Sequence, residues 1–152
     1  ADVVRELSRR FSVADESSPY FTLVYGIVDT VTGITHLVRA GHPYPVLQHA
    51  NGRIEQVRPD GFAVGLFPKV DPAVAELRLD RGDRLFLYSD GLVEATSAAG
   101  ERFSSNRMVE IIRAEKGKPL DELVQSLGHQ VAEWRGVGEF DDDVSLVGLE
   151  RE

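Results

Sequence analysis

The 152-residue sequence contains no cysteine. Disulfides, thiolate metal sites and a cysteine nucleophile are therefore excluded, and the absence agrees with a cytoplasmic protein. No apolar run approaches the roughly 20 residues that a bilayer-spanning helix needs, so no membrane role is expected. The opening residues Ala1 to Arg10 lack the layout of a signal peptide. Basic charge is also scarce: 17 Lys and Arg stand against 25 Asp and Glu, a net charge of −8. Nucleic-acid binding requires a basic footprint and is not expected. Phosphate binding by so acidic a chain would need metal ions to reverse the local field. Walker loops, dinucleotide-type glycine patterns and Ser-His-Asp arrangements are missing too.

What remains is an ordinary globular balance, with 42% hydrophobic and 28% charged residues, long enough for one domain over 1–152. The apolar stripe Val3, Val4, Leu7 and Phe11 predicts a helix over Ala1 to Phe11. Its lack of an N-terminal cap suggests a start inside a longer chain. Ser12 to Pro19 reads as a loop. Tyr20 to Asp29 and Ile34 to Ala40 read as a hairpin around Thr30 to Gly33. Val46 to His49 and Arg53 to Val57 flank Asn51-Gly52, a strong hairpin signal. Arg58 to Pro72 reads as a loop. Ala75 to Leu79 and Arg84 to Tyr88 are strands joined by Arg81-Gly82-Asp83, and the second is apolar on both faces, hence central and buried. Helices follow at Ser105 to Ala114 and Pro119 to Trp134, then a final strand from Asp143 to Leu149. This order gives an α+β fold, with helices covering antiparallel sheet.

Two acidic segments could carry chemistry. Ser89-Asp90-Gly91 directly follows the most apolar strand, where a carboxylate would be rigidly held and the glycine would admit close approach. Asp141-Asp142-Asp143 directly precedes the last strand, with Glu139 nearby. Hard oxygen ligands of this kind suit Mg²⁺ or Mn²⁺. Read alone, each has a plainer meaning: Asp-Gly as a turn and the acidic triplet as a solvated connector. His42, in a Gly-His-Pro turn, reads as a structural loop histidine, since no second histidine has metal-like spacing. His36, His49 and His129 receive no role.

Taken in order, Phe21 to Gly26, Ala40-Gly41-His42-Pro43, Gly65-Leu66, Gly82-Asp83, Leu85 to Ala95, Gly100-Glu101-Arg102-Phe103 and Asp142 to Val147 resemble the type 2C (PPM) protein phosphatases. Within them the chain is most similar to the bacterial SpoIIE-type serine phosphatases. The resemblance implies an antiparallel β-sandwich flanked by helices. It implies hydrolysis of phosphoserine or phosphothreonine by a metal-activated water, with two Mn²⁺ or Mg²⁺ ions in the complete site. By the same resemblance Asp90 and Asp142 are metal ligands and Gly91 and Asp143 are supporting residues; no residue is assigned as a catalytic group. The implied substrate is a phosphorylated anti-anti-sigma (STAS-type) protein in a partner-switching pathway, with a sensor or receiver domain upstream.

The chain departs from the family at its N-terminal side. The Gly-Asp and Asp-x-x-Gly-His-Gly segments that supply the metal-bridging aspartates do not occur; before Pro19 the only aspartates are Asp2 and Asp15. After Gly-Glu-Arg-Phe the usual glycine is Ser104. The expectation is the C-terminal part of a phosphatase domain, without the N-terminal strands and helix. Three readings of that part stay open: a piece of a longer active enzyme, a non-catalytic interaction module, or a fragment whose sheet edges pair in a homodimer.

Overall fold

The computed structural model describes residues 1–11, 20–67 and 69–152. The chain forms two compact units, 1–44 with 57–79 and 45–56 with 80–152. Both are built on antiparallel sheets with helices, so the α+β expectation holds. The expected loop Ser12 to Pro19 lies outside the described residues. Among the described residues no helix is long and apolar enough to cross a membrane.

The first unit holds helix α1 (Asp2–Arg10) and strands β1 (Leu23–Val28), β2 (Ile34–Ala40) and β5 (Val74–Arg78). The sheet order is β1-β2-β5, with Tyr25 opposite Val38 and His36 opposite Glu76. Its core is Val4, Val38, Ala40 and Val64, backed by Leu7, Phe21, Leu23 and Val70. The buried stripe of α1 differs from the sequence reading. Val4 and Ser8 are buried, whereas Val3 and Phe11 are exposed. Position i+4 from Val4 is a serine, so a polarity count misses the face that geometry selects. Phe11 instead meets Phe21 edge-on at 5.3 Å. On the outer face of α1, hydrogen bonds from Arg9 and Arg10 hold the Glu6 carboxyl down to about 2.

The second unit holds β3 (Val46–Gln48), β4 (Ile54–Gln56), β6 (Arg84–Tyr88) and β7 (Leu146–Glu150), with helices α2 (Asp90–Glu94), α3 (Ser104–Ala114) and α4 (Leu120–Arg135). The sheet order is β4-β3-β6-β7. β6 is central as expected: Leu85 faces Leu47 on one side and Leu149 on the other, and Phe86 is wholly buried. Burial pushes the Tyr88 phenol up. Leu123, Leu127 and Val131 recur every four residues on α4 and are fully buried. Each such burial is worth roughly 1.5–3 kcal/mol. Gly148 lets α4 settle on β7, since a Cβ there would stand 2.8 Å from Leu120 Cδ1. Gly136, at φ 71°, ends α4.

Arg81-Gly82-Asp83 joins β5 to β6 as read, and the two strands enter different sheets, β5 pairing with β2 and β6 with β3 and β7. The Asp83 carboxylate is spent inside the turn. It is 2% exposed and accepts the Ala50 and Asp80 amides at 2.8 and 3.0 Å. His49, given no role from sequence, lies 3.3 Å from the same carboxylate. The last strand starts later than read. Asp143, Val144 and Ser145 precede β7, and the polar groups of Asp143 and Ser145 turn toward Ser89 instead.

Ser104 is the one non-glycine residue with positive φ (69°) among the described residues, at the position where the family resemblance leads one to expect glycine. A side chain there costs about 1–2 kcal/mol, partly offset by the unfolded-state entropy that glycine would add. Ser104→Gly should therefore stabilise the chain by about 0.5–1 kcal/mol, read as a higher urea midpoint at unchanged slope.

Candidate functional site

The strand β6 ends at Tyr88, and the chain turns directly into α2, a helix of five residues that the sequence reading took for a turn. The junction is fixed by Ser89. Its amide donates to the Ser145 carbonyl at 3.0 Å, its hydroxyl donates to the Asp143 carbonyl at 2.8 Å, and that hydroxyl accepts the Ser145 amide at 2.8 Å. Three hydrogen bonds thus tie the residue before Asp90 to those after Asp142.

Gly91 completes the junction. A Cβ at this position would stand 2.5 Å from the Asp143 carbonyl oxygen and 3.2 Å from that of Asp142. Only a residue without a side chain lets the two segments touch. Gly91 therefore joins the two segments by absence of bulk, and Asp143 takes part in the contact through its backbone carbonyl.

Both candidate carboxylates are exposed. Asp90 Oδ1 accepts the Gly91 amide at 3.2 Å, and Asp142 Oδ1 accepts the Asp143 amide at 2.7 Å. No other hydrogen bond reaches either carboxylate among the described residues, so acceptor capacity remains on both. Gly91 and Asp142 line a pocket of about 280 Å³ together with Glu94, Ala95, Thr96, Arg102 and Asp141. Asp90 is not part of that lining.

The structure thus brings together the segments of Asp90, Gly91, Asp142 and Asp143. It places Asp141, named in the sequence with the acidic triplet, in the same pocket, and adds two side chains to which the sequence reading gave no role: Glu94 and Arg102. Glu94 lies one helical turn after Asp90 on α2, a spacing that a helix starting at Asp90 would have revealed. Arg102 returns to the pocket through an antiparallel bridge with Thr96, which no periodicity encodes. His42 belongs to the first unit and is bonded through Nδ1 to Thr22 Oγ1 at 2.9 Å. That placement suits a loop histidine.

A divalent cation can be tested against this donor set. Exposed carboxylates on rigid, backbone-tied segments are the oxygen ligands that Mg²⁺ and Mn²⁺ take. The fit is partial, because among the described residues no group of three His, Asp or Glu side chains is placed to hold a metal ion by itself.

Comparison with known proteins supplies the context. The chain is 28% identical over 135 residues to protein IcfG of Synechocystis, covering 87% of this chain and 21% of that protein. It is 24% identical over 136 residues to the phosphoserine phosphatase RsbP of Bacillus subtilis, covering 84% of this chain and 32% of RsbP. It therefore spans only a third or less of these relatives. Its fold superposes on the SiaA-PP2C domain of Pseudomonas aeruginosa with a TM-score of 0.86 and 18% identity, over 100% of this chain and 61% of the other. The model of the family described as Stage II sporulation protein E (SpoIIE) matches residues 1–152. The chain therefore belongs to the family described as Stage II sporulation protein E (SpoIIE), and its fold is that of the SiaA-PP2C domain.

Proposed function

We propose that this chain contributes Asp90 and Asp142 to the divalent-metal centre of a protein phosphoserine phosphatase. The observation that carries the reading is the backbone contact at Gly91, which sets the two carboxylate-bearing segments side by side. A bound Mn²⁺ or Mg²⁺ would supply Lewis acidity, making water a nucleophile at neutral pH and neutralising the phosphate. The residues of the chain do the rest. Asp90 and Asp142 hold the cation through carboxylate oxygen, and Ser89 and Gly91 fix their spacing. Among the described residues no third side chain joins them, so water and substrate oxygen would fill the remaining positions, as Mg²⁺ sites with one or two carboxylates allow.

The substrate is phosphoserine on a regulatory protein, of the phosphorylated anti-anti-sigma (STAS) type that the sequence resemblance implies. The name of RsbP, a phosphoserine phosphatase, supports the first part of that assignment. The test is hydrolysis of an aryl phosphate and of a phosphoserine peptide with added Mn²⁺. Metal-dependent release of phosphate, absent with chelator, is expected; activity indifferent to chelator would overturn the metal role. That no third acidic or histidine side chain joins Asp90 and Asp142 among the described residues favours a second reading, in which the chain binds its partner without hydrolysing it. Calorimetry with a STAS-type phosphoprotein separates the two: the second reading requires binding without divalent metal and no turnover with it.

A further inference from the structure

We propose that Arg102 is the phosphate-binding residue of this pocket, giving up its ion pair with Glu94 to take the phosphoryl group of the substrate. The inference rests on the phosphatase reading and deepens it by naming what holds the anion.

A phosphoryl dianion entering the pocket faces Glu94, Asp141 and Asp142, and Arg102 is the one cationic side chain in the lining. Arg135 lies 3.9 Å from Asp141 but is not part of that lining. An anion in this pocket therefore depends on bound cations and on Arg102 for attraction.

Geometry makes Arg102 suitable. Its backbone is clamped on both sides: Ser97 donates to the Glu101 carbonyl and Phe103 donates to the Ala95 carbonyl, each at 2.9 Å. Phe103 is buried in the core, and the Trp134 indole donates to the Glu101 carbonyl at 3.0 Å. The base of the side chain is held while its tip is exposed. That tip bonds Glu94 Oε1 through Nη1 alone, at 2.9 Å. Nε and Nη2 have no partner among the described residues, so the guanidinium fork is only partly used.

Energetics favour exchange. The two side chains of the pair are 67% and 56% exposed. An ion pair that open contributes about 0–1 kcal/mol. A phosphate can take two parallel N–H donors from one guanidinium, a stronger and more directional contact. Glu94 would hold the arginine at the pocket when no substrate is present and release it at small cost.

The test is titration of inorganic phosphate into the full chain with Mn²⁺ present. Binding is followed by calorimetry and by fluorescence of Trp134, the only tryptophan. Arg102→Ala should weaken phosphate binding by about tenfold or more, the loss of a charged hydrogen-bonded contact. Arg102→Lys should recover part of it, and Glu94→Gln should bind phosphate at least as tightly as the parent. With a phosphoserine peptide, Arg102→Ala should raise KM more than it lowers kcat. Equal phosphate affinity of parent and Arg102→Ala, weaker binding by Glu94→Gln, or no phosphate binding by the parent would each overturn the inference. Mn²⁺ binding compared between parent and Asp90→Asn keeps the two levels apart. If Mn²⁺ binding depends on Asp90 but phosphate binding is indifferent to Arg102, this inference alone fails. If Mn²⁺ binding does not depend on Asp90, the metal reading itself fails.

Discussion

Asp90→Asn is expected to remove Mn²⁺-dependent stabilisation of the chain and to lower its Mn²⁺-dependent phosphatase activity by about a hundredfold or more. The size follows from the several kcal/mol of charge stabilisation that a properly ligated metal gives a phosphoryl transition state, at about 1.36 kcal/mol for each factor of ten. Asparagine keeps the shape of the side chain, and its carbonyl can still accept the Gly91 amide that Asp90 Oδ1 accepts at 3.2 Å. The start of α2 should survive, so the variant reports charge and not folding. Thermal unfolding reads the metal without any need for turnover. A ligand at about 100 times its Kd stabilises by about 2.7 kcal/mol, a rise in Tm of several degrees for a chain of this size. The parent should show that rise with Mn²⁺ and the variant should not. The same rise in both would remove Asp90 from the metal centre.

Gly91→Ala should destabilise the chain by about 1–3 kcal/mol, the usual cost of forcing a group into filled space. It should also weaken Mn²⁺ binding by about tenfold or more, as loss of the support behind metal ligands does. The sign is the informative part. Alanine in place of a helical glycine ordinarily stabilises, by about 0.5–1 kcal/mol. At Gly91 the new methyl meets the Asp143 carbonyl oxygen at 2.5 Å and its carbon at 3.0 Å, and both are backbone atoms that no rotamer change can move. The Asp142 segment would have to retreat, stretching the 2.8 Å bond from Ser89 to the Asp143 carbonyl. Gly128 is the control. It lies inside α4, and a methyl added there would meet nothing within 4 Å, so Gly128→Ala should stabilise. Urea unfolding of the two variants should move the midpoint in opposite directions. A shift of the same sign at both positions would mean that the Gly91 contact does not constrain the site.

How much was legible beforehand depended on the range of the interaction. β2 was read to the residue because the Thr30 to Gly33 turn before it and the Gly41-His42-Pro43 break after it are both local signals. β6 was read as central because a strand apolar on both faces has no solvent side, and it lies between β3 and β7. α4 was readable from Leu123, Leu127 and Val131 and from the acidic first turn. The helix α2 was not, because five residues hold too little of a 3.6-residue period to register. Its opening Asp-Gly also carries the signature of a turn. The Asp83 carboxylate, with His49 beside it, was missed for a different reason. Its burial depends on the Ala50 amide arriving from another hairpin.

The sequence by itself determined the family, through the order of Ala-Gly-His-Pro, Ser-Asp-Gly-Leu-Val-Glu-Ala and Asp-Asp-Val-Ser, and it named Asp90 and Asp142 through the same resemblance. Only the tertiary structure decided that those segments touch, since Ser89 and Asp143 are 54 residues apart. It alone added Glu94 and Arg102 to the pocket beside them. The physical reason is that side-chain periodicity records which face of an element is apolar. Where two distant segments meet is set by the pairing of β6 with β7 and by the room left at a glycine, and neither leaves a mark within a short window of sequence.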